Sequence, residues 1–311
     1  MTRNLLSLLV AGALSMGVGV AQAEPFYMDV GAAGGAGIGA PFGDANTRTA
    51  AFDSFQLFAN TTSIQYDTNA SASLNIGDRF IDSGHANFTS GLPAGDQEGI
   101  NQNFGLGVIG ELTIAWSGLS GTITSLAPKS NPADGFTTIT TYDAGTLFEF
   151  YYQEPGNLSY GATVFQGDDS GHTDGVKVLT LEITSGIGSN SFSAAGIFQT
   201  GSSNLQGKVV YALDDFWHFS SDGADWEDLL AMTLPITLVQ SEVDQNTNHV
   251  VNDFSNAGAA GPAGFGIEMF RVGSDHDGSI EFSRTTVPEP ATLALLGLGL
   301  LGLSLSRRKS A

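Results

Sequence analysis

The chain has 311 residues, with 32 acidic and 11 basic side chains and a formal net charge of −21. That balance repels phosphate backbones and argues against nucleic acid as a partner. There is no cysteine, which excludes disulfides, thiol nucleophiles and cysteine metal cages.

Residues 1–23 have the parts of a secretory leader. Arg3 gives a positive start, Leu5 to Val20 are apolar and rich in small residues, and Ala21-Gln22-Ala23 is an A-x-A cleavage site. Cleavage by signal peptidase at the site formed by Ala21 and Ala23, which ends the leader at residue 23, is the expected outcome after passage through the secretion machinery. Four of the 11 basic residues (Arg3, Arg307, Arg308, Lys309) lie at the two ends, so the acidic excess belongs to the body between them. An exported body without disulfides must rest on its core or on bound ions.

Residues 24–50, with glycine and alanine crowded between Gly31 and Gly43, read as a flexible lead-in carrying at most one edge strand. From residue 51 to 286, short β-patterned runs alternate with turn clusters. The runs are Ser54–Phe58, Ser71–Ile76, Leu106–Trp116, Gly121–Leu126, Thr137–Tyr142, Thr146–Gln153, Leu158–Phe165, Val176–Thr184, Lys208–Ala212, Leu234–Val239, Gly266–Val272 and Ser279–Arg284. Asp134-Gly135, Asp174-Gly175 and Asp277-Gly278 read as turns between them. In Thr146–Gln153, Phe148, Phe150 and Tyr152 fall on one face, and Leu147, Glu149 and Tyr151 on the other. One helix is expected over Asp222–Met232, capped by Asp225 and packed through Leu229, Leu230 and Met232. The expected fold is mainly β: a sandwich or jelly roll of short antiparallel strands, as one large or two smaller β domains.

Catalytic signatures are sparse. Gly105 to Gly110 match G-x-G-x-x-G, but the motif runs into the strand-like Glu111-Leu112-Thr113-Ile114, whereas a dinucleotide loop opens a helix. The five histidines lack ligand spacing and read as turn or surface residues. No catalytic residue is assigned. Asp168, Asp169 and Asp174 share one glycine-containing loop, and Asp275 and Asp277 another. Such loops can supply the oxygens calcium requires, and ordinary Asp-Gly turns have the same composition. Asp214-Asp215-Phe216-Trp217-His218-Phe219 mixes acids with aromatics. It reads as a core segment whose Phe216 and Trp217 point inward, or as a sugar-binding or sugar-cleaving strip.

The C-terminal residues 287–311 begin Val287-Pro288-Glu289-Pro290, continue with an apolar run from Leu293 to Leu305, and finish with Arg307, Arg308 and Lys309. Pro288 and Pro290 set off a short transmembrane helix, and the basic cluster stays on the cytoplasmic side. This tripartite tail resembles the PEP-CTERM sorting signal. The resemblance implies an inner-membrane-anchored precursor, recognition by the membrane enzyme exosortase near Pro288-Glu289-Pro290, and transfer to the cell surface or beyond. A looser resemblance covers Gly77-Asp78-Arg79-Phe80-Ile81-Asp82-Ser83-Gly84, Phe88-Thr89-Ser90, Gly99-Ile100-Asn101, Glu111 to Trp116 and Leu119 to Thr122. These residues are similar to the body of PEP-CTERM proteins associated with flocculation. Together the resemblances imply a non-enzymatic surface or matrix protein acting with secreted polysaccharide in aggregation, floc or biofilm. The alternatives are a carbohydrate-binding module and a jelly-roll polysaccharide-degrading enzyme.

Overall fold

The computed structural model describes residues 24–33, 48–49, 51–93, 110–153, 171–233, 235–245 and 251–284. Twelve strands are described: β1 (Phe26–Met28), β2 (Phe52–Asp67), β3 (Arg79–Pro93), β4 (Glu111–Pro128), β5 (Phe136–Tyr142), β6 (Leu147–Gln153), β7 (Val176–Phe192), β8 (Phe198–Ala212), β9 (Trp217–Phe219), β10 (Ile236–Gln245), β11 (Val251–Asp253) and β12 (Ile267–Arg284). A short helix, α1 (Trp226–Ala231), lies between β9 and β10.

All ladders are antiparallel and belong to one sheet. β2, β3 and β4 pair in chain order. β4 then pairs β6 through Glu111–Trp116 and β5 through Gly121–Pro128, and β7 pairs the same two strands on its other side. β5 and β6 therefore occupy one position, end to end. β7, β8, β10 and β12 follow, and β12 pairs back onto β2 over most of its length, from Ile267↔Asp67 to Ile280↔Phe55. The result is an up-and-down barrel of eight staves, closed on itself without free edges in its wall.

This corrects the expected sandwich or jelly roll, and also the expected strand length. β2, β3, β4, β7, β8 and β12 run for 15 to 18 residues. Turn-like residues inside them are absorbed as bulges. Gly118, at φ +75, sits where β4 slips register against β3, so Leu106–Trp116 and Gly121–Leu126 belong to one strand as far as they are described. Asp277-Gly278 is likewise no turn, because both residues pair in register with Phe58 and Leu57 of β2.

Ser71–Ile76 is no strand. The carboxylate of Asp67 accepts the N–H groups of Asn69 (3.0 Å) and Ala72 (2.7 Å), and that of Asp78 accepts those of Thr68 (3.0 Å) and Asn75 (2.7 Å). Donors that would enter a ladder are taken by these two buried acids. Leu158–Phe165 lies outside the described residues.

The barrel is plugged at one end by aromatic rings. Phe26, Phe52, Phe55, Phe216, Trp217, Phe219, Trp226 and Phe282 are all fully buried there. The Trp217 indole N–H donates to the Val178 carbonyl at 2.9 Å. α1 is capped as expected, with Asp225 accepting from the Glu227 N–H at 2.6 Å, but its buried face is Trp226 and Leu229, while Met232 is exposed. The lead-in is more than a flexible segment, since β1 pairs β9 and buries Phe26 and Met28 in the plug. Glu24 also receives two hydrogen bonds from the Arg284 guanidinium (2.9 and 3.0 Å), tying the start of the described body to its end. A smaller cluster of Phe192, Phe198, Phe270 and Val272 fills the opposite end.

Candidate functional site

Between the two apolar ends the staves turn polar side chains inward. Alternate residues of β2 run Leu57, Ala59, Thr61, Ser63 and Gln65 down the inner wall. They surround a cavity of about 100 Å³, which β3 lines with Phe80 and Asp82, β4 with Trp116, β5 with Tyr142, β8 with Ser203 and β12 with His276. An eight-stranded barrel leaves room for packed side chains or one small ligand. Gly84 widens this one locally, because a Cβ there would lie 2.7 Å from the Trp116 ring. Trp116 stacks on Phe148 with centroids 4.9 Å apart and planes at 13°.

The lumen holds two hydrogen-bonded groups. His276 Nε2 bonds to the hydroxyls of Thr61 (2.7 Å) and Ser274 (3.0 Å). Burial pushes its pKa down to about 4, so the ring is neutral at ordinary pH. On the other side the Gln65 amide donates to the Ser63 hydroxyl at 2.9 Å, and Ser63 donates to Asp82. Burial drives the Asp82 pKa up to about 7, with the Ser63 bond opposing the shift. Tyr142 is raised by burial and by the Asp82 charge, while its bond with Ser203 works against both. Two lumen atoms stay without hydrogen-bond partners: Asp82 Oδ1, an acceptor, and Trp116 Nε1, a donor.

The residues named from sequence fall elsewhere. Asp174 lies in the loop before β7, and Asp275 and Asp277 lie within β12. β7 and β12 are not neighbours in the ring, so the structure does not gather these carboxylates into one site. Ala21, Ala23, Asp168, Asp169, Pro288, Glu289, Pro290, Arg307, Arg308 and Lys309 lie outside the described residues.

In Asp214–Phe219 the core reading holds, because Phe216 and Trp217 are fully buried. The structure does gather Asp215, His218 and Asp225, whose potential ligand atoms lie within 4.8 Å of one another, at the rim of the plug. The Asp225 carboxylate is already engaged by the N–H groups of Glu227 and Asp215, each at 2.6 Å.

Of the histidines expected at turns or on the surface, His172 does lie in a turn, His249 lies outside the described residues, and His276 and His218 are instead buried or lumen-lining. His276 lines the lumen, His218 is buried and stacks on Tyr27 at 4.9 Å, and His85 lies against His172 at 3.8 Å. Sequence reasoning missed the lumen altogether. Its one legible signal was the alternation Thr61, Ser63, Gln65 in β2, which reads as an outward polar face and in fact points inward.

The outer wall carries exposed Thr124, Thr141, Ser185, Ser189, Asn204 and Gln206 and the cross-strand ion pairs Lys177–Glu149 (3.0 Å) and Lys208–Glu182 (3.2 Å), interspersed with exposed apolar residues such as Ile187 and Val210. Among the described residues no helix is long and apolar enough to cross a membrane.

Compared with known families, residues 286–309 match the model described as the PEP-CTERM protein-sorting motif. No curated protein and no solved structure matches the chain. The motif marks the chain as exported, with a membrane-anchored precursor that is processed by exosortase, a membrane enzyme.

Proposed function

We propose that this exosortase-sorted protein acts without catalysis, as a β-barrel component of the cell surface or extracellular matrix that works with secreted polysaccharide in aggregation, floc or biofilm. The observation that carries the reading is the sorting motif at residues 286–309. The sequence Pro288-Glu289-Pro290 directly precedes the apolar run, and proline is disfavoured within helices and at the position after a helical residue, which suits recognition by an enzyme that reads an extended peptide. The outer wall supports the matrix role. Exposed hydroxyl and amide side chains on β4, β5, β7 and β8 suit contact with a hydrated polymer, and the closed ring leaves the barrel wall no free edge for uncontrolled strand pairing.

Replacing Pro288, Glu289 and Pro290 by alanine tests the sorting step. The precursor should accumulate in the inner membrane with Arg307 to Lys309 still attached, as read by fractionation and mass spectrometry. Surface display at the unaltered level would overturn it. The matrix role is tested separately by comparing floc or biofilm mass in a deletion strain with the complemented strain, where equal mass would remove that part of the reading.

A further inference from the structure

The barrel end opposite the aromatic plug is an apolar mouth. The connections β2–β3 (68–78), β4–β5 (129–135), β7–β8 (193–197) and β11–β12 (254–266) all meet there. Ile76, Ile197, Phe254 and Ile267 stand exposed on or beside them, Ile76 by 64% and Phe254 by 50%. Between the connections opens a cleft of about 490 Å³, lined by Leu74, Leu126, Phe136, Phe254, Met269 and Phe270. Its floor is firm, because Phe270 belongs to the cluster that fills this end and meets the Phe254 ring at 5.6 Å. Acids nearby are answered inside the chain. Asp67 and Asp78 accept backbone N–H groups, Asp253 accepts from Ser255, and Glu268 holds the Arg271 guanidinium at 2.7 and 3.0 Å. Apolar side chains grouped on one exposed face mark an interaction surface.

The course of the chain limits what can reach this face. Arg284 ends β12 at the plug, bonded to Glu24, and residues 285–292 separate it from the apolar run that starts at Leu293. That tether spans at most about 30 Å. The 18 residues of β12 rise about 60 Å along the strand, or roughly 45 Å along the axis at the usual barrel tilt. A chain held by its C-terminal side therefore keeps the plug toward the membrane and turns the mouth away, with the anchoring lipid out of reach. A copy held by an opposing surface presents the same apolar face in return. Such a contact is two-fold, so one face must supply both knob and hole. This one does, with Ile76 and Ile197 protruding beside the cleft. We propose that the mouth is a self-association surface, on which two copies meet end to end and the exposed isoleucines of each pack into the cleft of the other. Its consequence rests on the aggregation reading above: copies on facing cells bridge them. The acidic bodies repel one another, so a single contact is weak and salt strengthens it by screening. A surface carrying many copies gains by avidity.

Sedimentation equilibrium of the mature exported protein at low and high salt tests the contact. The expected result is a reversible dimer that tightens as salt rises. Ile197→Asp combined with Phe254→Asp should weaken it at least ten-fold, whereas Met232→Asp, at an exposed position of the plug end, should leave it unchanged. The chain has no cysteine, so Ile197→Cys and Met232→Cys each introduce a single thiol. A short bis-maleimide should join two copies through position 197 and not through 232. Those variants put no charge in the mouth and keep the question answerable if the aspartate pair folds poorly. A protein that stays monomeric at millimolar concentration, a dimer that loosens with salt, or cross-linking through 232 alone would overturn the proposal. Capture by phosphatidylcholine vesicles without dimer formation would assign the mouth to lipid and overturn it too. In cells the aspartate pair should lose floc mass as the deletion strain does. Normal floc in the deletion strain would remove the aggregation reading and leave the dimer standing. Floc lost on deletion but kept by the aspartate pair would sink the bridging contact and leave that reading intact.

Discussion

Asp82 and His276 share one cavity, and burial shifts them in opposite directions, to about 7 and about 4 from ordinary values of 3.8 and 6.5. Asp82 is raised, so the folded state holds its proton more tightly. Its cost to stability is absent below pH 3.8, grows as pH rises, and is complete above about 7. His276 is depressed, so its cost is absent above 6.5 and complete below about 4. Tyr142, the other titratable group facing Asp82, is raised and stays neutral throughout. Between pH 4 and 6.5 the two slopes therefore oppose each other, and the unaltered protein should show a nearly level stability profile. Asp82→Asn should uncover His276, with stability falling by a few kcal/mol as pH drops from 6.5 to 4. His276→Gln should uncover Asp82, with stability falling by a similar amount as pH rises from 4 to 7. Urea unfolding at pH 4, 5.5 and 7 measures both, and identical profiles for the two variants would refute the opposition.

Each long strand is a compromise between ladder pairing and interior volume. Gly84 in β3 faces the Trp116 ring, and a methyl group there would force ring or strand to move. Gly84→Ala should cost about 1–3 kcal/mol in thermal unfolding, as overpacking does, and no loss would mean that both the Trp116 ring and the nearer Asn60 carbonyl of β2 have room to shift. β1 is the opposite case, with three residues carrying great weight. Phe26 is fully buried and meets the rings of Phe52, Phe55, Trp217, Trp226 and Phe282, with centroids 4.9 to 6.3 Å away. Phe26→Ala should cost roughly 3–5 kcal/mol. A cost below 1 kcal/mol would show that β1 is an appendage and not part of the plug. Composition hid this, because glycine and alanine around Gly31 to Gly43 outweigh the Phe26-Tyr27-Met28 run beside them. The cap of α1 was readable because an N-cap is a local device, with acceptor and donor two residues apart.

Closure of the ring is a property of the whole molecule. The β12–β2 ladder joins residues 200 or more positions apart, from Ile267↔Asp67 to Ile280↔Phe55. Such pairing costs loop-closure entropy that only the finished barrel repays. Hydrogen exchange should find the amides of β2 and β12 as protected as those of β7 and β8, since no wall strand is an edge. Early exchange confined to β12 would show an open sheet.

The sequence by itself determined what is written locally. The antiparallel β class follows from alternation, as in Phe148, Phe150 and Tyr152, all buried. The Asp225 cap and the sorting tail at residues 286–309 are set by neighbouring residues, with no need for a fold around them. Only the tertiary structure decided which face of each strand looks inward, that Asp277-Gly278 continues a strand, and that Asp82, Trp116 and His276 share one cavity. The physical reason is that polarity alone does not separate a strand face turned to solvent from one turned to a polar lumen. Thr61, Ser63 and Gln65 satisfy the pattern for either side, and the choice is made when β12 pairs with β2 and the barrel closes.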